Sequence, residues 1–430
     1  MVVITGNKVA EGKTKIIWGV DGDPSLAVVE SKDDITAGDG AKHDIMRGKA
    51  EFATATTCNV FRLLQACGIP LAFREQIDER RFLAKRCHMV PLEVVVRREA
   101  HGSFLKRHPY LQKGHVFPRL ILEFFLKTTG KQWAGQAIPK DDPFMQITRR
   151  RAALFLPDQP LYIQDPFLVL DVFPLSDDPE GYQERYQKIG AMAIEVFLIL
   201  EKAWQLLGRR LVDFKVEFGI TQEGQLVLAD VIDSDSWRVV DGGQYIDKQA
   251  YRDGRSLALV RDLYQLVAAL TERFGLPRQR LIIWRGSESD SLDVFDRAIE
   301  LMRKGVDGSV EVITCSLHKQ PIQALQKLWA LVQEVPDCVV IAYIGRSNGA
   351  GPTLSASVAV PVITVPASLM EFPDDVWSSL RTPRSTPVMT VLDPENAVLA
   401  ALQILAMRNP RLYAALRTEQ EKRLANVVEL

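Results

Sequence analysis

Four short apolar runs, Leu281 to Trp284, Val310 to Cys315, Val339 to Ile344 and Val362 to Val365, follow one another with helical patterns between them. Apolar strands alternating with helices are what a parallel sheet covered on both faces requires. Residues 280–430 are therefore expected to form an α/β domain with a three-layer, mainly parallel sheet. Before Gly275 the pattern is different: strand-like runs (Lys15 to Trp18, Leu26 to Glu30, Glu93 to Arg97) mix irregularly with helical stretches such as Glu51 to Ala66, which reads as an α+β domain over residues 1–275. A chain of 430 residues is long enough to bury two such cores. A helix from Arg255 to Phe274 ends at Gly275-Leu276-Pro277 and sets the boundary near Gly275 to Gln279.

In the first half, Ile189, Met192, Val196, Ile199, Ala203 and Leu206 repeat at three and four residues, predicting a helix over Gln183 to Leu207 with Gly208 as its stop. Between Lys131 and Pro166 five prolines surround Arg149-Arg150-Arg151, which predicts a long loop or insertion. No internal repeat stands out.

Apolar residues at 47% and charged residues at 25% belong to an ordinary packed protein, and a net charge of -1 gives no whole-chain attraction to nucleic acid or anionic membrane. The five cysteines are scattered and never spaced as C-x-x-C, so they read as core thiols and not as a disulfide framework or zinc site. The apolar stretch at the N-terminus is too short for a signal peptide, and no run of roughly 18 apolar residues follows. The cytosol is the expected compartment.

The strict alternation in Leu211 to Phe218 (LVDFKVEF) puts Asp213, Lys215 and Glu217 on one strand face. A two-residue turn at Glu223-Gly224 would set Asp230 of the next strand directly opposite Glu217. Two facing carboxylates repel unless a hard cation joins them, and Mg²⁺ commonly takes one or two carboxylates together with nucleotide phosphates. Near the start, Glu11-Gly12-Lys13-Thr14-Lys15 looks like a P-loop, but five residues separate Gly6 from Gly12 and the continuation is strand-like. A glycine hairpin covering phosphates with its backbone and lysines is the better reading, beside an ordinary charged turn.

These segments together resemble SAICAR synthetase (phosphoribosylaminoimidazole-succinocarboxamide synthetase). The likeness runs through EGKTK at 11–15, SKDDITAGD at 31–39, RREAHGSFLKR at 97–107, LVDFKVEFG at 211–219, LADVIDSDSWR at 228–238 and DKQAYRD at 247–253. It implies an ATP-dependent ligase that phosphorylates the carboxylate of carboxyaminoimidazole ribotide (CAIR) and lets the amine of aspartate displace phosphate. It further implies ATP-binding roles for Lys13, Lys15, Lys127, Glu217 and Asp230, the last two as Mg²⁺ ligands. Asp39, Arg97, Ser103, Asp213, Lys215, Arg238, Lys248 and Arg252 are implied to hold CAIR and aspartate, Asp213 and Lys215 at the catalytic centre. The family places Asp-Pro soon after the lysine matching Lys127; here both Asp142-Pro143 and Asp165-Pro166 qualify, and the spacing to the helix ending near Trp204 favours Asp165.

In the second half, GSESD at 286–290 follows a strand and opens a helix carrying Leu292, Phe295, Ile299 and Met302, which suits phosphate binding. The turns SLHK at 316–319 and GRSNGAGP at 345–352 would converge with it at the carboxyl edge of the sheet. With PVITVP at 361–366 and DVWSSLR at 375–381, these residues resemble the animal-type aminoimidazole ribonucleotide (AIR) carboxylase, which adds CO₂ to AIR without biotin or ATP. The resemblance implies that Ser287, Ser289 and Asp290 hold the ribotide, that His318, Lys319, Arg346, Ser347, Asn348 and Gly349 surround the reacting carbon and CO₂, with His318, Lys319 and Ser347 catalytic, and that the chains assemble as a homo-octamer. Where the family has Gly-Asn after the GRSNG loop, this chain has Ser355-Ala356-Ser357, and the family's Pro-Ser-Gly loop reads Pro383-Arg384-Ser385-Thr386-Pro387. A ligase whose C-terminal domain has lost catalysis and serves oligomerisation or nucleotide sensing is therefore the second reading, and a non-catalytic binder of purine intermediates a third.

Overall fold

The computed structural model describes residues 5–37, 42–147, 151–170, 181–296, 300 and 309–428. The chain divides into two compact units, Met1–Gly275 with Thr418–Leu430, and Leu276–Arg417. The terminal segment counts with the first unit: the buried Glu421 carboxylate accepts the Leu120 backbone N–H at 2.8 Å.

The first unit is α+β. One antiparallel sheet runs in the order Thr5–Glu11, Lys15–Val20, Asp23–Ser31, Arg81–Lys85, Phe73–Gln76. The helix Lys49–Ala66 packs on it, with the Phe61 ring 5.5 Å from Phe73 between ring centres. The second sheet is built around the long strand Arg210–Thr221, flanked by Leu92–Glu99 and Trp237–Asp241. The predicted helix is present as Gly181–Leu206, and its buried stripe meets that sheet through Phe197 on Phe214 and Trp204 on Trp237, at 5.3 and 5.4 Å. Ser256 caps the helix Leu257–Thr271 by accepting the Leu259 N–H.

The segment Lys131 to Pro166 is not the loop its prolines predict. Phe144–Ile147 and Ala152–Phe155 extend the second sheet beyond Val116–Leu126, and Phe144 and Phe155 join Val95 and Phe125 in an apolar cluster. Pro143 and Pro157 flank these strands, where a missing N–H costs no ladder bond.

The second unit holds the predicted parallel sheet, ordered Ser309–Thr314, Arg280–Arg285, Cys338–Ile344, Val362–Pro366, Met389–Thr390. Alternate residues of each strand feed two cores: Leu281, Ile283, Val339 and Ile341 face one layer of helices, and Ile282, Trp284, Val340 and Ala342 the other. Because the strand order reverses beside Arg280–Arg285, a crevice is expected at its carboxyl end, next to Cys338–Ile344. Of the helix predicted after GSESD, only the short turn Asp293–Phe295 is described together with Asp296 and Glu300, so Ile299 and Met302 lie outside the described residues. No described helix is long and apolar enough to cross a membrane.

Candidate active site

In the first unit a cavity of about 450 Å³ has an apolar floor of Val9, Ile17, Val29, Phe73, Phe82 and Met89 and a charged end formed by Lys15, Lys127, Glu217 and Asp230. An apolar slot leading to clustered ammonium groups suits a flat base joined to phosphates. Lys15 enters from Lys15–Val20, a strand and not a P-loop helix, and the exposed Lys13 sits at the hairpin turn closed by the Gly12 N–H on the Lys15 carbonyl at 2.9 Å.

The two acids are each met by lysine. Lys127 Nζ donates to Glu217 Oε2 at 2.5 Å, Lys15 donates to Asp230, and Lys215 Nζ lies 2.5 Å from Glu93 Oε1 and 3.5 Å from Glu217 Oε1. Burial works against charge on Glu217, but Lys215, Lys127 and Lys15 together hold its carboxyl below the usual range. Burial also pushes the Lys15 ammonium down to about 8, with Glu217 opposing.

The expected register is off by one. Glu217 pairs with Ala229, not with Asp230, because the turn is longer than two residues: Thr221 N–H bonds to the Gln225 carbonyl. Regular pleating would then send Asp230 to the opposite face from Glu217. Its backbone instead turns left-handed, φ 64°, and brings the carboxylate back to Lys15 in the same cavity.

Next to the cavity the strand buries a chain of alternating charges. Arg107 donates to Glu123 at 2.5 Å, Arg97 to Glu123 at 2.6 Å and to Asp213 at 2.5 Å, and Arg238 to Asp213 at 2.7 Å. Asp213 and Arg97 are directly paired across the strands, which explains their contact. Asp213, expected at the catalytic centre, is buried and paired with two guanidiniums, whose directions it fixes. Gly102 permits this arrangement: at φ 59°, ψ -133° only glycine is comfortable, and a Cβ there would lie 2.3 Å from Arg238 Nη2. The exposed Ser103 follows it at the start of the short helix Ser103–Arg107.

A third cluster ties the loop after Asp230 to its surroundings. Lys248 Nζ is 3.1 Å and the buried Lys49 Nζ 3.4 Å from Asp235, and Tyr264 donates to the same carboxylate. Arg252 is exposed, with one donor on Gln249 at 3.3 Å. Asp39 lies outside the described residues.

The choice between Asp142 and Asp165 comes out against the spacing, and four further charged residues carry no sequence signal of a role. Asp165 is exposed and is not brought to the cavity, whereas Asp142 accepts the Thr128 N–H at 3.0 Å beside Lys127, close enough to Lys215 to help hold that ammonium charged. Burial, offset by Thr128, raises the Asp142 carboxyl. Nothing local assigns a role to Glu93, Glu123, Arg107 or Lys49, except that Glu93 alternates with Arg97 along Leu92–Glu99 and so shares its face.

In the second unit, Asp290 sits at the expected crevice. It is 9% exposed, accepts the Ser287 N–H at 3.1 Å, and leaves no room for a side chain at Gly345, where a Cβ would lie 2.6 Å from its Oδ1. Ser289 donates to Ser287 Oγ at 3.0 Å. Arg346 stacks over Phe372 at 4.9 Å, Ser347 is left-handed at φ 62°, and the buried Asn348 anchors the loop through Asp375 at 2.9 Å and Ser379 at 2.7 Å, with Gly349 next in line. His318 and Lys319 are both exposed in the turn after Ser309–Thr314. Ser385 stands at φ 66° in the loop that Ser355 ties down by donating to the Pro387 carbonyl. Ser385 thus takes a left-handed backbone that ordinarily favours glycine.

Comparison with known proteins accounts for both units. Residues 8–142 and 180–265 match the SAICAR synthetase family and residues 280–426 the AIR carboxylase family, with Asp142 the last residue before the unmatched insertion. The Caenorhabditis elegans protein named "Probable multifunctional protein ADE2" is 36% identical over 97% of this chain and 94% of its own length. The bifunctional phosphoribosylaminoimidazole carboxylase/phosphoribosylaminoimidazole succinocarboxamide synthetase of Drosophila melanogaster is 34% identical over 99% and 94%. A phosphoribosylaminoimidazole-succinocarboxamide synthase of Chloroflexus aurantiacus is 41% identical over 63% of this chain and 98% of its own. With both domains matched in order, the chain belongs to the family of bifunctional purine-biosynthesis enzymes that join a SAICAR synthetase domain to an AIR carboxylase domain.

Proposed function

We propose that the cavity of the first unit binds ATP with its phosphates among Lys15, Lys127 and Lys215 and its base on the apolar floor. The observation that supports this most is that one cavity joins both surfaces. A carboxylate oxygen of CAIR then attacks the γ-phosphorus and ADP leaves. The aspartate nitrogen attacks the resulting acyl carbon, phosphate departs and the nitrogen loses a proton. Lys127 and Lys215, already beside Glu217, carry positive charge to where it accumulates on the transferring group. Arg97 and Arg238, held in fixed directions by Glu123 and Asp213, together with Ser103, Lys248 and Arg252, are suited to the carboxylates and phosphate of CAIR and aspartate. Asp142 replaces Asp165 in this assignment.

Glu217 and Asp230 fit a magnesium site: two carboxylates at the phosphate end of the cavity, each balanced by a lysine that phosphates can draw away. When bound, the ion supplies charge neutralisation to the nucleotide.

In the second unit the proposal puts the ribotide of AIR on Ser287, Ser289 and Asp290, with Arg346, Ser347, Asn348, Gly349, His318 and Lys319 around the ring carbon that bonds to CO₂ and gives up its proton. The buried Asp290 at the switch point supports this. An octamer built on the second units is supported by exposed Ile322, Trp329, Met370 and Trp377, and a cytosolic setting by five free cysteines. The test is a product assay on AIR, bicarbonate, aspartate and Mg-ATP: SAICAR is expected, and SAICAR from added CAIR but none from AIR would overturn the second half.

A further inference from the structure

His101 is 5% exposed and both nitrogens of its ring are engaged. Nδ1 lies 2.5 Å from the Tyr245 hydroxyl and Nε2 3.2 Å from Glu99 Oε2. A neutral ring satisfies all three groups, the tyrosine donating to Nδ1 and Nε2–H donating to the carboxylate. The arrangement is braced from behind: Arg210 Nε donates to the other Glu99 oxygen at 3.0 Å, and Lys113 lies 5.1 Å over the Tyr245 ring.

The two ends of this bridge are not equivalent. On one side His101 immediately precedes Gly102 and Ser103. On the other, Tyr245 belongs to the short strand Gln244–Tyr245, paired with Trp237–Asp241, which carries Arg238. Arg238 in turn runs against the Gly102 backbone and reaches Asp213. The imidazole is therefore a side-chain tie between the turn that presents Ser103 and the hairpin that presents Arg238. Few buried polar groups are needed to hold a hairpin to a turn, and an apolar pair would do so without cost. A directional tie sets the angle between them as well.

We propose that His101 is a positioning residue of the ligase, setting the spacing between Ser103 and Arg238 through Tyr245 and Glu99. This rests on the reading that those two residues bind CAIR or aspartate. Its effect falls on the CAIR and aspartate side and leaves the nucleotide cavity alone, since neither His101 nor its partners line that cavity.

The test measures KM for CAIR, aspartate and ATP, with thermal unfolding, in His101→Ala, Tyr245→Phe, the double variant, His101→Gln and Arg238→Ala. Loss of the tie is expected to raise KM for CAIR or aspartate about tenfold, the scale of one lost buried hydrogen bond, with KM for ATP changing less than about twofold. Tyr245→Phe should act in the same direction, the double variant should be no worse than His101→Ala, and Gln should restore part of the loss. Equal changes in all three KM values with a lowered Tm would show a merely structural histidine and overturn the proposal, as would unchanged KM values in His101→Ala beside a raised one in Arg238→Ala. Unchanged KM values in Arg238→Ala itself would instead remove the reading of the pocket on which the proposal rests.

Discussion

The two units build their sites in opposite ways. In the first, the candidate residues Asp213, Lys215 and Glu217 project from the middle of the strand Arg210–Thr221 and are held by ion pairs to Arg97, Glu93 and Lys127. In the second, the candidate residues sit beyond strand ends, where short turns after Arg280–Arg285 and Cys338–Ile344 bring Asp290 against Gly345. A strand-interior site is rigid but must neutralise several buried charges with one another. A strand-end site buries little charge, and depends on small residues and backbone conformation.

That contrast predicts the largest effect for a buried acid of the first unit. Glu123→Ala would leave Arg97 and Arg107 without their shared partner, at a cost of about 3–5 kcal/mol, read as earlier denaturant unfolding of the first unit with carboxylase activity retained. An unshifted transition would break the comparison. In the second unit the corresponding change, Asp290→Ala, should affect binding more than folding: AIR carboxylation falls about 10- to 100-fold while SAICAR formation from added CAIR continues. Next in size, Asp142→Asn should lower ligase turnover about tenfold, while Asp165→Asn stays within about twofold. The reverse ranking would restore the assignment favoured by spacing.

The smallest effect concerns pH. With the Lys15 ammonium pushed down to about 8, the group is charged below that pH and loses its proton above it, so a cation facing the phosphates disappears as pH rises. The KM for ATP should therefore climb severalfold between about pH 7 and 9, and Lys15→Arg should flatten the rise because a guanidinium stays charged. A profile unchanged by that substitution would move the titration elsewhere.

Legibility in the sequence follows the same division. The parallel sheet and its loops could be read because apolar runs mark strands and the turn after each run marks an edge of the sheet. The alternation in Leu211 to Phe218 likewise put Asp213, Lys215 and Glu217 on one face. Register could not be read: one extra turn residue moved Asp230 off the position opposite Glu217, and a left-handed backbone moved its carboxylate back. Glu123, Arg107 and Lys49 acquire meaning only from long-range pairing, which local pattern does not encode. The insertion hid its strands because prolines at strand flanks resemble prolines in a loop, and the same insertion made Asp165 look better spaced than Asp142.

The central claim is that Glu217 serves ligation in a cavity whose work is separable from that of the second unit. The most direct test gives Glu217→Ala protein AIR, bicarbonate, aspartate and Mg-ATP and follows CAIR and SAICAR together. CAIR appearing at the wild-type rate while SAICAR falls by roughly 100-fold or more is the predicted result. SAICAR formed at the wild-type rate would contradict the account.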